Sequence, residues 1–331
     1  MKVEELGEFG LIRRITQQIA RRAVEGDASV IIGLGDDAAA WEKTSGVVEV
    51  LTTDTLVEGR HFDRKYTSWL DVGWKALASN LSDIAAMGAT PSLVLVTLGL
   101  PYDLDVGSVD AFYDGILECA AEYGGVVVGG DIVGSSEFFA TIALIGKSSD
   151  ALLLRSNARE GDVIAVTGTL GRASAGLVLL KNNLENGTTR TSVLRSAYAR
   201  PEPRMSDGKL LVSHGICCAM DISDGFLADL GKLCEASAVG ALIYSSAIPI
   251  HPEVRRMFPE QFMDFGLGGG EDYELVFTGS RRIVDGLIKV LPSGGTIVGE
   301  IVQGQPGSVV VQDDSGCVIN VDSTGWDHLL R

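Results

Sequence analysis

The chain has 331 residues, of which 46% are hydrophobic and 21% are charged, and this composition is typical of a globular protein with one large or two ordinary domains. Its formal net charge of −17 argues against nucleic-acid binding, which depends on Lys and Arg side chains that neutralise phosphates. An acidic protein can still hold a small phosphate-bearing ligand if divalent cations bridge the two.

The five cysteines indicate a reducing compartment, since they contain no CxxC pair and the adjacent Cys217 and Cys218 lack zinc-ligand spacing. The first ten residues, MKVEELGEFG, are acidic and polar, so no signal peptide is expected. The longest apolar run, near residues 93–100, is too short to span a bilayer. We therefore expect a cytoplasmic protein that contacts no membrane.

In the first half of the chain, the pattern predicts strands that alternate with helices. An amphipathic helix is expected within residues 7–23, and an Ala-rich helix over 69–91 that is stopped by Gly88 and Pro91. Residues 30–41 are expected to form a strand that enters a Gly-rich turn. The other predicted elements are strands at 47–57, 92–101, 126–135 and 138–147, and a helix at 108–124.

Polar turn formers at residues 148–162 indicate a seam, so we expect one domain over 1–148 and a second over 149–331. The second half starts again with a strand, a Gly loop and a helix from residue 162. Further predicted elements are helices at 204–214, 224–236 and 281–290, and strands at 241–244 and 271–277 and near the carboxy terminus. The predicted fold class is α/β, with two domains.

The segment MDISDGFLADL (220–230) places three aspartates among apolar residues, where Asp is rare unless it is paired or binds a metal. By itself, the segment also fits a turn or helix start capped by Ser223 or Asp224, with solvated charge. Five further aspartates follow apolar strands or lie on the Ala-rich helix, next to Gly, Ser or Thr. They are Asp36, Asp37, Asp54, Asp83 and Asp131.

Each of these aspartates fits a turn or cap when it is considered alone, but as a group they fit a cluster of hard cations. We expect the carboxylates to lie where strands end, the part of an α/β fold at which ligands collect. Magnesium prefers oxygen ligands and bridges carboxylates to substrate phosphates, as phosphoryl transfer requires.

The common nucleotide motifs are missing. Position 141 is Thr where a P-loop needs Gly, and TGTLGRASAG (167–176) has the wrong spacing for GxGxxG and is interpreted as a tight strand-to-helix turn. No protein-kinase signature and no HExxH occurs. The residues alone thus predict a magnesium-dependent enzyme that uses a nucleotide or a phosphate.

Seven segments, in order and over nearly the whole chain, together resemble the thiamine-monophosphate kinase family. The discriminating ones are TDTLVEGRHF (53–62) and GGEDYEL (269–275), because the wider aminoimidazole ribonucleotide synthetase superfamily shares only a looser pattern. The others are GEFGLI (7–12), GLGDDAA (33–39), ALASNLSDIAAMGATP (76–91), GGDIV (129–133) and DISDGFLADL (221–230).

The resemblance implies transfer of the ATP γ-phosphoryl group to thiamine monophosphate, the last step of thiamine diphosphate biosynthesis. It implies a two-domain aminoimidazole ribonucleotide synthetase-like fold, in which the amino-terminal domain dimerises and holds ATP and several Mg²⁺ ions near the dimer interface. The carboxy-terminal domain completes the substrate site. The accepting phosphate oxygen is already ionised, so we expect metal ions rather than a general base to carry catalysis.

Site residues follow from the matching positions. The metal ligands implied are Asp37, Thr52, Thr53, Asp54, Asp83, Asp131, Asp221 and Asp224. The ATP contacts implied are Gly130, Asp131, Arg155, Ser223 and, on a looser match, Tyr113. The substrate contacts implied are His61, Glu271 and Trp326.

The side chains of Glu271 and Trp326 suit the substrate parts that the resemblance assigns to them. A carboxylate can accept a hydrogen bond from an aminopyrimidine, and a Trp ring can stack on a cationic thiazolium. For Trp326 and His61, packing roles are the alternative, and Asp229 is expected to be solvated. Two other functions stay open. One is another ATP-dependent enzyme of the superfamily, and the other is a non-catalytic nucleotide- or metal-binding protein.

Overall fold

The computed structural model describes residues 30–32, 36–42, 46–148, 151–182 and 189–319, together with residues 321 and 325. Over these residues the chain forms two six-stranded sheets flanked by helices, which confirms the predicted α/β class. The helix predicted within residues 7–23 lies outside the described residues, and so does Trp326.

The first sheet has the strand order β1-β2-β3-β6-β4-β5. Its strands are β1 (Val30–Ile32), β2 (Ala39–Glu42), β3 (Val48–Val57), β4 (Thr90–Leu100), β5 (Val126–Gly134) and β6 (Phe139–Ser148). Neighbouring strands are antiparallel except for β4 and β5, which are parallel. A parallel pair needs a crossover connection, which a helix between these two strands supplies.

Two long helices cover the inner face of this sheet, α1 (Trp69–Ala86) and α2 (Val106–Tyr123). The Ser68 hydroxyl caps α1 by accepting a hydrogen bond from the Asp71 N–H at 3.2 Å. Gly73 allows the two helices to approach closely, because a Cβ atom there would lie 1.8 Å from the Phe112 carbonyl oxygen. The side chains of α1 are therefore almost all buried.

The second sheet has the order β12-β9-β11-β7-β10-β8. Its strands are β7 (Val163–Thr167), β8 (Cys218–Ile222), β9 (Gly240–Tyr244), β10 (Glu274–Gly279), β11 (Gly295–Val302) and β12 (Val309–Gln312). Its helices are α3 (Arg172–Lys181), α4 (Thr189–Ala199), α5 (Met205–Ser213), α6 (Phe226–Ala236), α7 (Pro252–Met257), α8 (Phe262–Gly268) and α9 (Arg281–Leu287).

Two sequence expectations for the second half need correction. The strand predicted over 271–277 begins only at Glu274, because Glu271 (φ 67°) and Tyr273 (φ 50°) adopt left-handed backbone conformations that no strand contains. The helices α4, α7 and α8 were not predicted at all. The tight turn expected at TGTLGRASAG is confirmed, with Gly171 (φ 85°) directly before α3.

The two halves meet along α1. The Trp74 indole N–H donates to the Pro201 carbonyl at 2.9 Å, and the Arg200 guanidinium pairs with Asp71 at 2.6 Å. A Cβ atom at Gly208 of α5 would lie 2.2 Å from the Ala85 carbonyl oxygen, so α5 also packs tightly on α1. Of the helices in the described residues, none combines sufficient length with enough apolar character to cross a bilayer.

Candidate active site

Three aspartates from three elements converge where α1 meets the second sheet. Asp37 precedes β2, Asp83 lies on α1 and Asp221 lies in β8, and one carboxylate oxygen of each lies within 4.8 Å of the other two. Asp37 and Asp221 are buried, and Asp83 is half-buried. Oxygen ligands at this separation fit a divalent cation.

Burial and mutual repulsion dominate the electrostatics of this carboxylate cluster (Asp37, Asp83 and Asp221). Burial, followed by the charges of Asp54 and the other two cluster members, raises the pKa of Asp83 well above its ordinary value. Burial, followed by the charge of Asp37, does the same to the pKa of Asp221. The cluster is therefore short of positive charge.

Hydroxyl groups and one guanidinium surround the cluster. The Thr52 hydroxyl donates to Asp83, and the Ser82 hydroxyl donates to Asp221 Oδ2 at 2.8 Å. Arg155, in a 3₁₀ turn at the start of the second half, forms a bidentate pair with Asp37, and the Nε–Oδ2 distance is 3.2 Å. The structure thus brings four of the predicted metal ligands and one predicted ATP contact together.

The alternation of β3 divides its three predicted metal ligands between two faces of the sheet. Thr52 and Asp54 point to the inner face, where the Asp54 N–H donates to Asn80 Oδ1 of α1 at 3.1 Å. Thr53 is exposed on the outer face, and its hydroxyl donates to the Ile142 carbonyl at 2.9 Å. Within the described residues, no contact joins the Thr53 side chain to the carboxylate cluster.

Asp131 also lies on the outer face, opposite Thr97 in the register of β4 and β5. It is exposed, as is nearly all of β5, which forms an edge of the sheet. Gly130 is needed for strand pairing there, because a Cβ atom would lie 1.8 Å from the Val96 carbonyl oxygen. Asp54 and Asp131 both lie inside strands, so the expectation that these carboxylates follow strand ends was wrong for them.

Tyr113 lies on α2 and packs against the core of the first sheet, with its ring centroid 5.9 Å from that of Phe112. Burial raises the pKa of the Tyr113 hydroxyl. Within the described part of the chain, no contact connects Tyr113 to the carboxylate cluster.

The expectation that Asp229 is solvated was wrong. The residue is fully buried in the first turn of α6, and its Oδ2 accepts hydrogen bonds from the backbone N–H groups of Ser223, Asp224 and Gly225 at 2.9–3.1 Å. Lys232 pairs with Asp229 at 2.8 Å and with Asp224 at 2.6 Å. Asp229 thus fixes the loop that carries two of the predicted site residues.

The GGEDYEL segment forms a loop that lies against this SDG loop. The Glu271 N–H donates to the Ser223 carbonyl at 2.7 Å, and the Tyr273 N–H donates to the Ile222 carbonyl at 2.9 Å. Between them, Asp272 caps α3 by accepting hydrogen bonds from the backbone N–H groups of Gly171 (2.6 Å) and Ala173 (3.1 Å). Burial raises the pKa of Asp272 to about 7.

Glu271 and His61 lie on either side of a lysine that sequence reasoning missed. Lys75 Nζ of α1 pairs with Glu271 Oε1 at 2.7 Å and lies 3.4 Å from the His61 carbonyl oxygen. His61 Nδ1 accepts a hydrogen bond from the Val57 N–H at 2.9 Å, so a neutral ring carries its proton on Nε2. The sequence signal was a lone lysine in the middle of an Ala-rich, otherwise buried helix.

A second charge cluster lies away from these residues. The fully buried Glu274 accepts two hydrogen bonds from Arg204, each at 2.6 Å, and one from Arg172 at 3.1 Å. The Thr167 hydroxyl adds a fourth at 2.7 Å. A cavity of about 400 Å³ lies beside the two arginines and is bordered by Tyr123 of α2.

Comparisons with known proteins give a consistent result. The family described as AIR synthase related protein, N-terminal domain, matches residues 35–148, and its C-terminal counterpart matches residues 159–311. The thiamine-monophosphate kinase of Bacillus subtilis (strain 168) is 34% identical over 98% of this chain and 99% of that protein. The thiamine-monophosphate kinase of Aquifex aeolicus (strain VF5) is 34% identical over 99% and 100%.

Solved structures agree with the sequence comparisons. The structure described as AaThiL complexed with AMPPCP and TMP has a TM-score of 0.87 and 34% identity, covering 99% of both chains. A thiamine monophosphate kinase structure from Aquifex aeolicus has a TM-score of 0.80 and 32% identity, covering 96% of this chain and 99% of the other.

Proposed function

This chain belongs to the thiamine-monophosphate kinase family, and from that premise we infer that it transfers the γ-phosphoryl group of ATP to thiamine monophosphate, giving thiamine diphosphate and ADP. The family membership predicted from the motifs is confirmed. The observation that carries the function is the full-length similarity to a kinase whose structure holds both an ATP analogue and TMP.

We propose that Asp37, Asp83, Asp221 and the Thr52 hydroxyl hold Mg²⁺, with Asp54 close to them. The converging oxygens and the shortage of positive charge around them support this assignment. When bound, Mg²⁺ would neutralise negative charge on the phosphoryl oxygens. Phosphoryl transfer depends mainly on this neutralisation. Asp224 is proposed as a further ligand from the family match, and its carboxylate pairs with Lys232 at 2.6 Å.

The protein's own groups bind and orient the two phosphates. The acceptor is an ionised phosphate oxygen, so no residue is needed to remove a proton. Arg155 lies against the cluster with its guanidinium held by Asp37, and we propose that it contacts an ATP phosphate. Ser223, with its backbone fixed by Asp229, is proposed as a second ATP contact.

The thiamine part of the acceptor is assigned to Glu271, His61 and Trp326. We propose that Glu271 accepts a hydrogen bond from the aminopyrimidine and that His61 donates from Nε2. Trp326 is proposed to stack on the cationic ring, as the family match implies. The contact between the Glu271 loop and the Ser223 loop supports one continuous site for both substrates.

We further propose that residues 1–148 form the ATP-binding and dimerising domain, residues 149–331 the domain that completes the substrate site, and that the protein is a homodimer. The outer face of the first sheet supports this, because Leu51, Leu93 and Leu95 there are 38–46% exposed beside the edge strand β5. Thr53 and Asp131 lie on the same face, and this position suits the binding of ATP and metal ions near the dimer interface. We propose Gly130 and Tyr113 as further ATP contacts.

Light scattering after gel filtration tests the dimer. We expect the wild-type protein to elute as a dimer and Leu95→Glu as a monomer with weakened ATP binding. A wild-type monomer at micromolar concentration would contradict the assignment. We also propose a cytoplasmic location, which the five free cysteines support.

One incubation tests the reaction itself. Pure protein with ATP, Mg²⁺ and thiamine monophosphate is expected to form thiamine diphosphate, detected by chromatography, and a chelator is expected to stop its formation. If the protein binds ATP but forms no product, the phosphate acceptor is a different molecule.

A further inference from the structure

Lys75 is the most unusual charged residue of α1. Its side chain is 0% exposed, in a helix stretch where Trp74, Ala76 and Leu77 are also buried. Lysine is almost never fully buried unless it is paired. A residue of this kind persists where its charge is required, and its partners indicate what the charge does.

Those partners are two of the three predicted substrate residues, Glu271 and His61, and a tyrosine. The ammonium group lies 3.7 Å from the centroid of the Tyr198 ring, which it faces as in a cation–π pair, and it bonds Glu271 Oε1 at 2.7 Å. It also lies 3.4 Å from the His61 carbonyl oxygen, and the Tyr198 hydroxyl donates to that same carbonyl at 3.0 Å. One buried cation thus joins the segments that carry Glu271 and His61.

We propose that Lys75 is a positioning residue for recognition of the aminopyrimidine ring, acting through Glu271. Its ammonium group binds one carboxylate oxygen, Oε1, and thereby turns the other oxygen, Oε2, towards the ligand. Glu271 retains 26% exposure of its side chain, so the side chain is partly open to a ligand although Oε1 is held by Lys75. The class of ligand recognised is an aminopyrimidine, whose exocyclic N–H donates to Oε2.

The backbone supports this division of the carboxylate. Glu271 has a φ of 67° and donates its N–H to the Ser223 carbonyl, so the backbone that carries the side chain is held in one conformation. Lys75 comes from the first half of the chain and Glu271 from the second, so the pair also joins the two halves at the substrate site. Burial lowers the pKa of Lys75, and the Glu271 carboxylate opposes that shift.

The inference rests on the proposed function, and a double-mutant cycle separates the two. The variants are Lys75→Met, Glu271→Gln and the combination of both, with Lys65→Met, an exposed lysine (88%), as matched control. The readouts are KM for thiamine monophosphate, KM for ATP, kcat, and the Kd for thiamine monophosphate measured calorimetrically without ATP.

We expect Lys75→Met to raise KM and Kd for thiamine monophosphate about 10- to 100-fold, the cost of losing a hydrogen bond to a charged group. KM for ATP should change less than about threefold, because substitutions have only small effects on sites with which they share no contact. In the Glu271→Gln background, Lys75→Met should add almost nothing, because the residue through which Lys75 acts is already altered. Lys75→Gln, which keeps a donor but loses the charge, should fall between wild type and Lys75→Met.

Two results would overturn the inference while leaving the kinase function intact. One is a Lys75→Met variant whose KM values for both substrates rise equally. The other is an additive cycle, in which Lys75→Met costs as much in the Glu271→Gln background as in the wild-type background. Failure of the wild-type protein to bind or phosphorylate thiamine monophosphate would instead refute the proposed function. If Lys75→Met does not fold, Lys75→Gln and the double variant give the same comparison.

Discussion

Among the described residues, Glu274 and the carboxylate cluster are two acidic sites whose charges are balanced in opposite ways. Glu274 is fully buried and receives hydrogen bonds from two arginines and a threonine, so its charge is more than matched inside the protein. The carboxylate cluster has one guanidinium for three carboxylates, with Asp54 close by. The balance at Glu274 fits a structural role, whereas the shortage of positive charge in the carboxylate cluster fits the Mg²⁺ proposed to bind there.

The largest expected effect comes from the carboxylate cluster. Asp83→Asn should lower kcat by about 10³-fold, because it weakens the proposed metal coordination at the reacting phosphates. It should also raise the melting temperature of the metal-free protein, since it removes one of the repelling charges. Steady-state kinetics and thermal unfolding with and without Mg²⁺ check both, with the exposed Asp103→Asn as control. A variant with normal turnover would remove Asp83 from the mechanism.

Removing a charge from the group around Glu274 should lower the stability of the protein, whereas removing one from the carboxylate cluster should raise it. Arg204→Met leaves Glu274 without its main partner and should cost about 3–5 kcal/mol in the free energy of unfolding. Adding Glu274→Gln should restore part of that loss. The pair of the exposed Arg256 and the half-buried Glu253 provides the control, since Arg256→Met removes an exposed guanidinium and should cost less than about 1 kcal/mol. If urea unfolding shows that Arg204→Met and Arg256→Met lower the free energy of unfolding equally, Arg204 is not the residue that neutralises the buried Glu274.

A substitution at Asp229 tests whether its carboxylate holds the backbone of the SDG loop (residues 223–225) in place. Asp229→Asn replaces an ionised acceptor of three N–H groups with a neutral amide and should cost about 2 kcal/mol of stability. ATP binding should weaken as well, because the SDG loop loses its anchor. Urea unfolding and ATP titration measure the two effects, and the exposed Asp285→Asn should change neither. An unaffected Asp229→Asn variant would mean that the loop holds its conformation by other contacts.

The smallest effect is a change in pH dependence at Asp272. Its pKa of about 7 lies above the ordinary value of about 4, so the native state binds more protons than the unfolded state between these values. Stability must therefore fall as pH rises through that window. In Asp272→Asn this contribution is absent, and the loss between about pH 5.5 and 6.5 should shrink by about 1 kcal/mol. Parallel pH profiles for the two proteins would refute this.

Much of the site could be predicted from the chain because aspartates beside Gly, Ser and Thr follow local rules. Those rules, with the motif resemblance, led to Asp37, Asp83 and Asp221, which the structure brings together. They assigned Asp229 to solvent, which was wrong, because Asp229 and Asp224 both lie near a helix start and look alike in the sequence. Only the turn geometry determines that Asp229 caps the loop while Asp224 stays half-buried and pairs with Lys232.

Long-range pairs were beyond sequence reasoning. Lys75 and Glu271 are distant in the chain, and nothing in either neighbourhood indicates the other. The alternating pattern of EDYELVF resembles a strand from its first residue, and it gives no sign that residues 271 and 273 turn back with positive φ. Likewise, the face on which Asp131 lies depends on the register of β4 and β5, which a single sequence does not specify.

The left-handed backbone at Glu271 restricts how the proposed pyrimidine site can be redesigned. A branched Cβ is disfavoured at a φ of 67°, so a saturation library at this position should yield few folded proteins with Val, Ile or Thr. Gly, Asn and Asp tolerate that conformation best, and of these only Asp keeps a carboxylate. Attempts to engineer a kinase for other pyrimidines should therefore vary the partners of Glu271 and leave position 271 unchanged.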